Sequence, residues 1–294
     1  MLYAWAERHR VAHRRTGKLV VVPAGAARVN EAVEALHALH DNARRSGARG
    51  CELISPTAVA RLEPALPRCA AAMFCPESGI VDVHELTRSL LADACNRDAL
   101  LVTHAEVTSI TPSPTGFVLE STRGSARAQR VINAAGLYCD QVARMVGLTE
   151  FTIHPCRGDY FRLRRTPQFH HLIYPVRAPG DPGLGIHLTL ELDGGQRVGP
   201  DAEYVSERED YRPAEHKHAM FLEATRRLLG QLSPDQLAYD GCGIRPKLRA
   251  PHEPADYDFL IREHPTGCVH LLGIESPGVT AALALAEEVC ASFC

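Results

Sequence analysis

No stretch of this 294-residue sequence approaches the roughly 20 consecutive apolar residues that a membrane-spanning helix needs. The N-terminus lacks the basic-then-apolar pattern of a secretory signal, so the chain reads as cytoplasmic, with peripheral membrane contact left open. Runs of like charge are missing too. With 32 basic and 35 acidic residues and a net charge of -3, nothing supplies the positive field that holds nucleic acid, and a small-molecule partner is expected. The ten cysteines include no Cys-x-x-Cys pair, and Cys69 and Cys75 have neither zinc spacing nor a histidine pair to complete a site. They read as reduced, small apolar residues. His-Glu-x-x-His is absent among the fifteen histidines. His37, His40, His170, His171, His216 and His218 read as surface or loop residues, and no metal is expected. A Walker loop and a Gly-x-Ser-x-Gly elbow are also lacking. The two Gly-x-Gly tripeptides, Gly183-Leu184-Gly185 and Gly241-Cys242-Gly243, have neither the third glycine nor the helix of a dinucleotide fingerprint.

What is present suits a sizeable core and two domains. Leu2, Tyr3, Trp5 and Ala6 look like the tail of an amphipathic helix. Residues 17–22 read as a strand, and Val29, Val33, Leu36, Leu39 and Ala43 recur at helical spacing until Gly47 stops them. Ser55-Pro56 begins a short helix. Asp82 with Glu85 is a capping-box start for a helix carrying Leu86, Leu90, Leu91 and Ala94. Short strands are expected at 100–102, 106–110, 117–121 and 130–133, followed by Ala134-Ala135-Gly136 opening a helix over 137–146. From 153 to 198 the pattern becomes that of an antiparallel sheet, with strands at 160–163, 172–176 and 185–192. Over 185–191 the even positions are aliphatic and the odd ones polar or glycine, which puts His187 and Thr189 together on a polar face. A helix over 213–229 carries Phe221, Leu222, Leu228 and Leu229.

The last fifty residues carry the most information. Gly243-Ile244-Arg245-Pro246-Lys247 is followed by a strand over 268–274, then by Glu275-Ser276-Pro277-Gly278-Val279-Thr280 opening an alanine-rich helix. Ser276 is placed to cap that helix and Pro277 to sit in its first turn, leaving free amides and the positive dipole end beyond Gly278, an arrangement suited to an anion. Residues 281–286 are apolar nearly all round, so the helix is expected to be buried against a sheet. Taken alone, the same residues describe an ordinary capped core helix.

The combination resembles the glycine oxidase and D-amino-acid oxidase type of flavin enzymes, and within it the L-2-hydroxyglutarate dehydrogenase/oxidase branch. The resemblance spans nearly the whole chain. It rests on seven blocks in order: residues 13–19 (HRRTGKL), 131–136 (VINAAG), 157–160 (RGDY), 185–189 (GIHLT), 198–200 (VGP), 243–246 (GIRP) and 273–278 (GIESPG). Enzymes of this type begin with a strand, a glycine-rich turn and a helix. By comparison, roughly 70 residues before Met1 are expected to be absent, about two strand–helix units.

The resemblance implies FAD as cofactor. Val107 would lie beside the adenine, Ala134, Ala135 and Gly136 beside the pyrophosphate, and Pro277, Gly278, Val279 and Thr280 near the flavin pyrimidine edge. Small residues at a strand-to-helix turn let backbone amides approach a phosphate, although close packing alone explains them equally well. Arg245 would grip the substrate carboxylate, since a guanidinium bonds it bidentately and keeps its charge, whereas a lone Arg-Pro is otherwise an ordinary solvated loop. His187 would accept the hydroxyl proton or merely bind substrate. Arg157, Tyr174 and Thr189 are further pocket candidates.

The expected architecture is mixed α/β: an interleaved, N-terminally incomplete FAD-binding Rossmann-like domain and an antiparallel-sheet substrate domain whose sheet walls the flavin. The substrate domain would take 1–76 and 151–240, the FAD-binding domain 77–150 and 241–294. The implied reaction is oxidation of a small 2-hydroxy acid, L-2-hydroxyglutarate first, with hydride passing to flavin N5 and electrons to oxygen or a quinone. Oxidation of an amino acid on the same scaffold, or a truncated, non-catalytic chain needing its missing segment, are the alternatives.

Overall fold

The computed structural model describes residues 1–176, 185–253 and 258–293, so Gly183 and Leu184 lie outside the described residues. In chain order the elements begin α1 (Leu2–His9), β1 (His13–Arg14), β2 (Lys18–Pro23), α2 (Val29–Arg45), β3 (Glu52–Ile54), α3 (Pro56–Leu62), β4 (Cys69–Cys75), β5 (Ile80–Val81) and α4 (Val83–Cys95). Then come β6 (Val107–Ser113), β7 (Gly116–Ser121), β8 (Gly124–Ala128), β9 (Val131–Asn133), α5 (Cys139–Arg144), β10 (His154–Leu163), β11 (Leu172–Pro175), β12 (His187–Leu190), β13 (Gln196–Gly199) and β14 (Glu203–Tyr204). The rest are α6 (His218–Leu229), β15 (Leu237–Lys247), β16 (Leu260–Glu263), β17 (Cys268–Leu272) and α7 (Gly278–Ala291).

Nine strands form the main sheet, in the order β14-β10-β13-β12-β11-β2-β4-β3 with β15 alongside β10. Its recorded pairings are antiparallel apart from β11 against β2. Strand alternation gives this sheet two unlike faces. On one, Leu19, Val21, Phe161, Ile173, Leu188, Leu190 and Val198 are buried against Val59 of α3 and Phe221, Leu222 and Leu228 of α6. The Phe161 and Phe221 rings lie 4.5 Å apart, and each such side chain contributes about 1.5–3 kcal/mol by leaving water. On the other face, α2 covers only the β2/β4 end, where Leu36 packs on Val20, Val22 and Met73. Beyond α2 that face is polar.

A smaller sheet, β16-β17-β9, contains the parallel pair β9/β17, with His270 opposite Asn133. Helix α5 packs Cys139 and Ala143 against it together with Leu148, Ile153 and Leu272. The third sheet, β6-β7-β8, closes on the first residues of β9 and β17 through Ile110, Phe117, Val131 and Cys268. Asp140 ties α5 down: it accepts bonds from Arg208 and Arg144 and from the Ile153 amide. Burial alone would raise its carboxyl, but the Arg208 and Ile153 bonds outweigh that and hold it low.

The fold departs from the sequence expectations at several places, among them the helix expected over 213–229, which begins only at His218 after a 3-10 turn (Glu215–Lys217). Residues 100–102 form no strand; Leu100 is 91% exposed, and no strand edge pairs with it among the described residues. The helix expected over 137–146 divides into a 3-10 turn (Gly136–Tyr138) and the short α5. Helix α7 starts at Gly278 with Pro277 at the cap position and no side-chain cap, so Ser276 does not cap it. Only Val289 of α7 is buried, so the helix expected to lie buried against a sheet is left largely in solvent among the described residues. Half of the capping box expected at Asp82 forms: its carboxylate accepts the Glu85 amide at 2.8 Å, but the Glu85 side chain turns to the Ala12 amide instead of the Asp82 amide. Among the described residues, no helix is long and apolar enough to cross a membrane.

Candidate active site

The polar face of the main sheet gathers side chains from six strands. Lys18, Tyr174, His187, Thr189, Arg197 and Tyr160 share it, because each stands one residue out of phase with a core side chain, and Arg245 joins them because its partner Cys156 lies on the Tyr160 side of β10 by alternation. His187 is the most enclosed, 5% exposed, with its ring stacked 3.7 Å from that of Tyr174. Its Nδ1 lies 2.9 Å from the Gly185 carbonyl, which accepts but cannot donate. The proton therefore sits on Nδ1 and the lone pair on Nε2, which has no partner among the described residues. Burial pushes the imidazole pKa down to about 4; the bond to Gly185 works against this, and the nearby Lys18 and Arg245 charges add to it. His187 is thus a neutral base with an open acceptor nitrogen between two cations.

Arg245 leans across Gly158, where any side chain would meet its guanidinium at 2.6 Å. The guanidinium donates to the Asp201 carbonyl at 3.0 Å and contacts the Cys156 sulfur at 3.8 Å, and it has no carboxylate partner among the described residues. Its other N–H groups have no partner among the described residues. Gly243 and Gly241 continue the same strand, with nothing within 4 Å of the space a side chain would take, so the floor beside Arg245 is open and flat. Thr189 adds a half-buried hydroxyl without a protein bond among the described residues. Burial, with the neighbouring Tyr160 phenol, pushes Tyr174 up to about 12, so it presents a neutral hydroxyl.

Arg157 lies elsewhere. Alternation along β10 turns it, with Asp159, toward α6 and away from Tyr160. There its guanidinium is taken up by Asp159 at 2.7 Å and by the carbonyls of Asp210 and Arg212. Burial would raise Asp159, but Arg157 and Lys217 hold it low. Lys217 also draws Asp201 and Glu203 to within 2.7 and 2.6 Å, so an ammonium fills the point where these three carboxylates converge. Arg157 is a structural residue of that cluster.

The two turns read as cofactor-binding emerge from the C-terminal ends of the adjacent parallel strands β9 and β17, the end at which parallel sheets bind ligands. Asn133 shapes the first turn: Nδ2 donates to the Cys139 carbonyl at 2.7 Å and to His270 Nδ1 at 2.9 Å, and Oδ1 accepts the Ala135 amide. His270 donates from Nε2 to the His264 carbonyl, and burial lowers its pKa, so it stays the neutral acceptor Asn133 needs. Ala134 and Ala135 are left exposed and Gly136 takes φ 55. At the second turn the Val279 and Thr280 amides have no backbone partner among the described residues. Lys247 bonds Glu275 at 2.8 Å and fastens this turn to the Arg245 strand. Val107 packs on the Val131/Cys268 cluster at the start of β9 and β17, at the edge of the third sheet.

An exposed small-residue turn after β9 and the unbonded Val279 and Thr280 amides after β17, with an open glycine floor, a neutral base and an arginine that has no carboxylate partner among the described residues, fit an extended anionic cofactor with a flat ring. The residues that would hold it are Ala134–Gly136 and Gly278–Thr280. Fold and site together define a nucleotide-cofactor oxidoreductase. The comparisons give its family: residues 1–292 match the FAD dependent oxidoreductase model, and the chain belongs to that family. It is 31% identical to a mitochondrial L-2-hydroxyglutarate dehydrogenase of Arabidopsis thaliana, over all of this chain and 69% of that protein. An L-2-hydroxyglutarate dehydrogenase of Indibacter alkaliphilus is 26% identical, over 98% of this chain and 80% of the relative. Among solved structures, the FAD-bound L-alpha-glycerophosphate oxidase of Mycoplasma pneumoniae shares the fold at TM-score 0.82 and 23% identity, over 95% of this chain and 72% of that one. Glycine oxidase of Geobacillus kaustophilus does so at 0.76 and 20%, over 97% and 75%.

Lys18, Tyr160, Arg197 and the Asn133–His270 pair were not singled out as site residues by sequence. Asn133→Ala is expected to cost about 1–3 kcal/mol, because it strands the His270 nitrogen and the Cys139 carbonyl in the interior. Urea denaturation measures that loss, and FAD titration should show weaker binding by the loosened turn.

Proposed function

We propose that this chain oxidises a small 2-hydroxy acid, L-2-hydroxyglutarate first, to the 2-oxo acid. The observation that carries this reading is His187, a neutral imidazole whose Nε2 has no partner among the described residues and which shares one sheet face with the Arg245 guanidinium, itself without a carboxylate partner among them. FAD, when bound, supplies the acceptor for the α-hydrogen as hydride. Arg245 holds the carboxylate next to the reacting carbon, and His187 Nε2 takes the hydroxyl proton as the carbonyl forms. A base neutral down to about pH 4 is ready at any physiological pH. The ring of Tyr174 fixes the imidazole plane, and Thr189 offers the substrate a hydroxyl contact. The relatives named L-2-hydroxyglutarate dehydrogenase support the substrate assignment. The reduced thiols, nine of them free among the described residues, support a cytoplasmic setting. A dye-acceptor assay across 2-hydroxy acids and amino acids tests the reading: turnover of L-2-hydroxyglutarate is expected, and turnover of amino acids alone would replace it with amine oxidation.

A further inference from the structure

The sequence contains three lysines, Lys18, Lys217 and Lys247, among 32 basic residues. Two of them hold protein carboxylates: Lys217 bonds Asp159, Asp201 and Glu203, and Lys247 bonds Glu275. Lys18 has no carboxylate partner among the described residues. It is the first residue of β2, half-buried, and on the polar face of the main sheet. Its ammonium lies 5.0 Å from the centre of the Tyr174 ring, the ring that stacks on His187 at 3.7 Å. A desolvated ammonium over an aromatic face is held in place but not neutralised. On this face, then, His187 has the Arg245 guanidinium on the β10/β15 side and the Lys18 ammonium on the β2 side, neither with a carboxylate partner among the described residues. One anionic group satisfies one cation. A site with two cations that no carboxylate among the described residues neutralises, placed around one base, fits a dianion.

We propose that Lys18 receives the second, distal carboxylate of the substrate and makes the site selective for dicarboxylic 2-hydroxy acids. The inference rests on the hydroxy-acid reading for the reaction, but it assigns a specificity determinant that the reaction itself does not require. A monocarboxylic substrate engages Arg245 and His187 equally well and leaves Lys18 against Tyr174. A dicarboxylate adds a charge-assisted bond to a flexible four-carbon stem that can follow it.

The test is a substrate ratio. In the FAD-loaded protein, kcat/KM for L-2-hydroxyglutarate is divided by that for L-2-hydroxybutyrate, in the wild type, Lys18→Met and Lys18→Arg. Lys18→Met should lower the ratio about 30-fold, the worth of one hydrogen bond to a charged group, and Lys18→Arg should restore most of it. A merely structural lysine would lower both activities and leave the ratio in place, which would overturn the proposal. Calorimetric binding of glutarate against butyrate gives a second readout that needs no turnover. Glutarate should bind more tightly to the wild type, and the difference should vanish in Lys18→Met. If amino acids alone are oxidised while glutarate binding still depends on Lys18, the reaction reading fails and the dicarboxylate site stands. If hydroxy acids are oxidised without dependence on Lys18 in either measurement, the proposal fails alone.

Discussion

Arg245→Met should raise KM for the hydroxy acid about 100-fold, with a smaller effect on kcat. The guanidinium has no carboxylate of its own among the described residues, so its charge is available to the substrate, and nothing in the protein takes over when it is removed. Losing one partner of a hydrogen-bonded charge pair costs about 2–5 kcal/mol, which brackets that change. Methionine keeps the apolar stem against Cys156 and Gly158, so the fold should persist. Steady-state kinetics with mono- and dicarboxylic substrates should show the loss for both, unlike the selective loss expected at Lys18. An unchanged KM would remove Arg245 from the site.

His187→Gln should slow cofactor reduction by about 100- to 1000-fold, the usual worth of a positioned base, while leaving KM nearly constant. Stopped-flow mixing with substrate reads this directly. The pH dependence has a defined sign. Because burial depresses the folded pKa to about 4, the wild-type rate should stay flat from neutral pH down to about pH 5 and fall as pH drops through 4. Stability follows the same linkage. Between about pH 6.5 and pH 4 the unfolded chain binds the proton and the folded chain does not, so the contribution of His187 is full above 6.5 and is lost as pH falls through this window. Its total is about 3 kcal/mol, and His187→Gln should lack it.

The polar face could be read from sequence where strand alternation was clean. Residues 185–191 alternate strictly, and His187 and Thr189 stand on the face that alternation assigned. The same rule sets Arg157 apart from the site: Arg157 and Asp159 are two apart on β10 and must share a side opposite to Tyr160. That signal was present in Arg-Gly-Asp-Tyr and outweighs the attraction of an arginine beside a glycine. Asp240 is different. It sits in the bulge where β15 shifts register against β10, and with Glu191 it pairs Arg162 and Arg197 on the site face. No local pattern announces a bulge of this kind, because it is set by the partner strand. Lys18 was hidden for a related reason. Its neighbour Tyr174 is 156 residues away in sequence and reaches it through the parallel β11/β2 pairing. Residues 100–102 and α7 mark the opposite limit: composition alone says that Leu100, Leu101 and Val102 suit a strand, and that α7 suits burial, but both need a covering element that the described residues do not provide.

The central claim is that this chain holds FAD and uses it on a 2-hydroxy acid. The most direct measurement is the visible flavin spectrum of the purified chain after incubation with FAD and removal of the excess, followed by anaerobic addition of L-2-hydroxyglutarate. Stoichiometric flavin that bleaches with L-2-hydroxyglutarate, but not with glycine or sarcosine, is the predicted result. A folded chain that retains no flavin, or retained flavin that bleaches with the amino acids and not with the hydroxy acid, would contradict it.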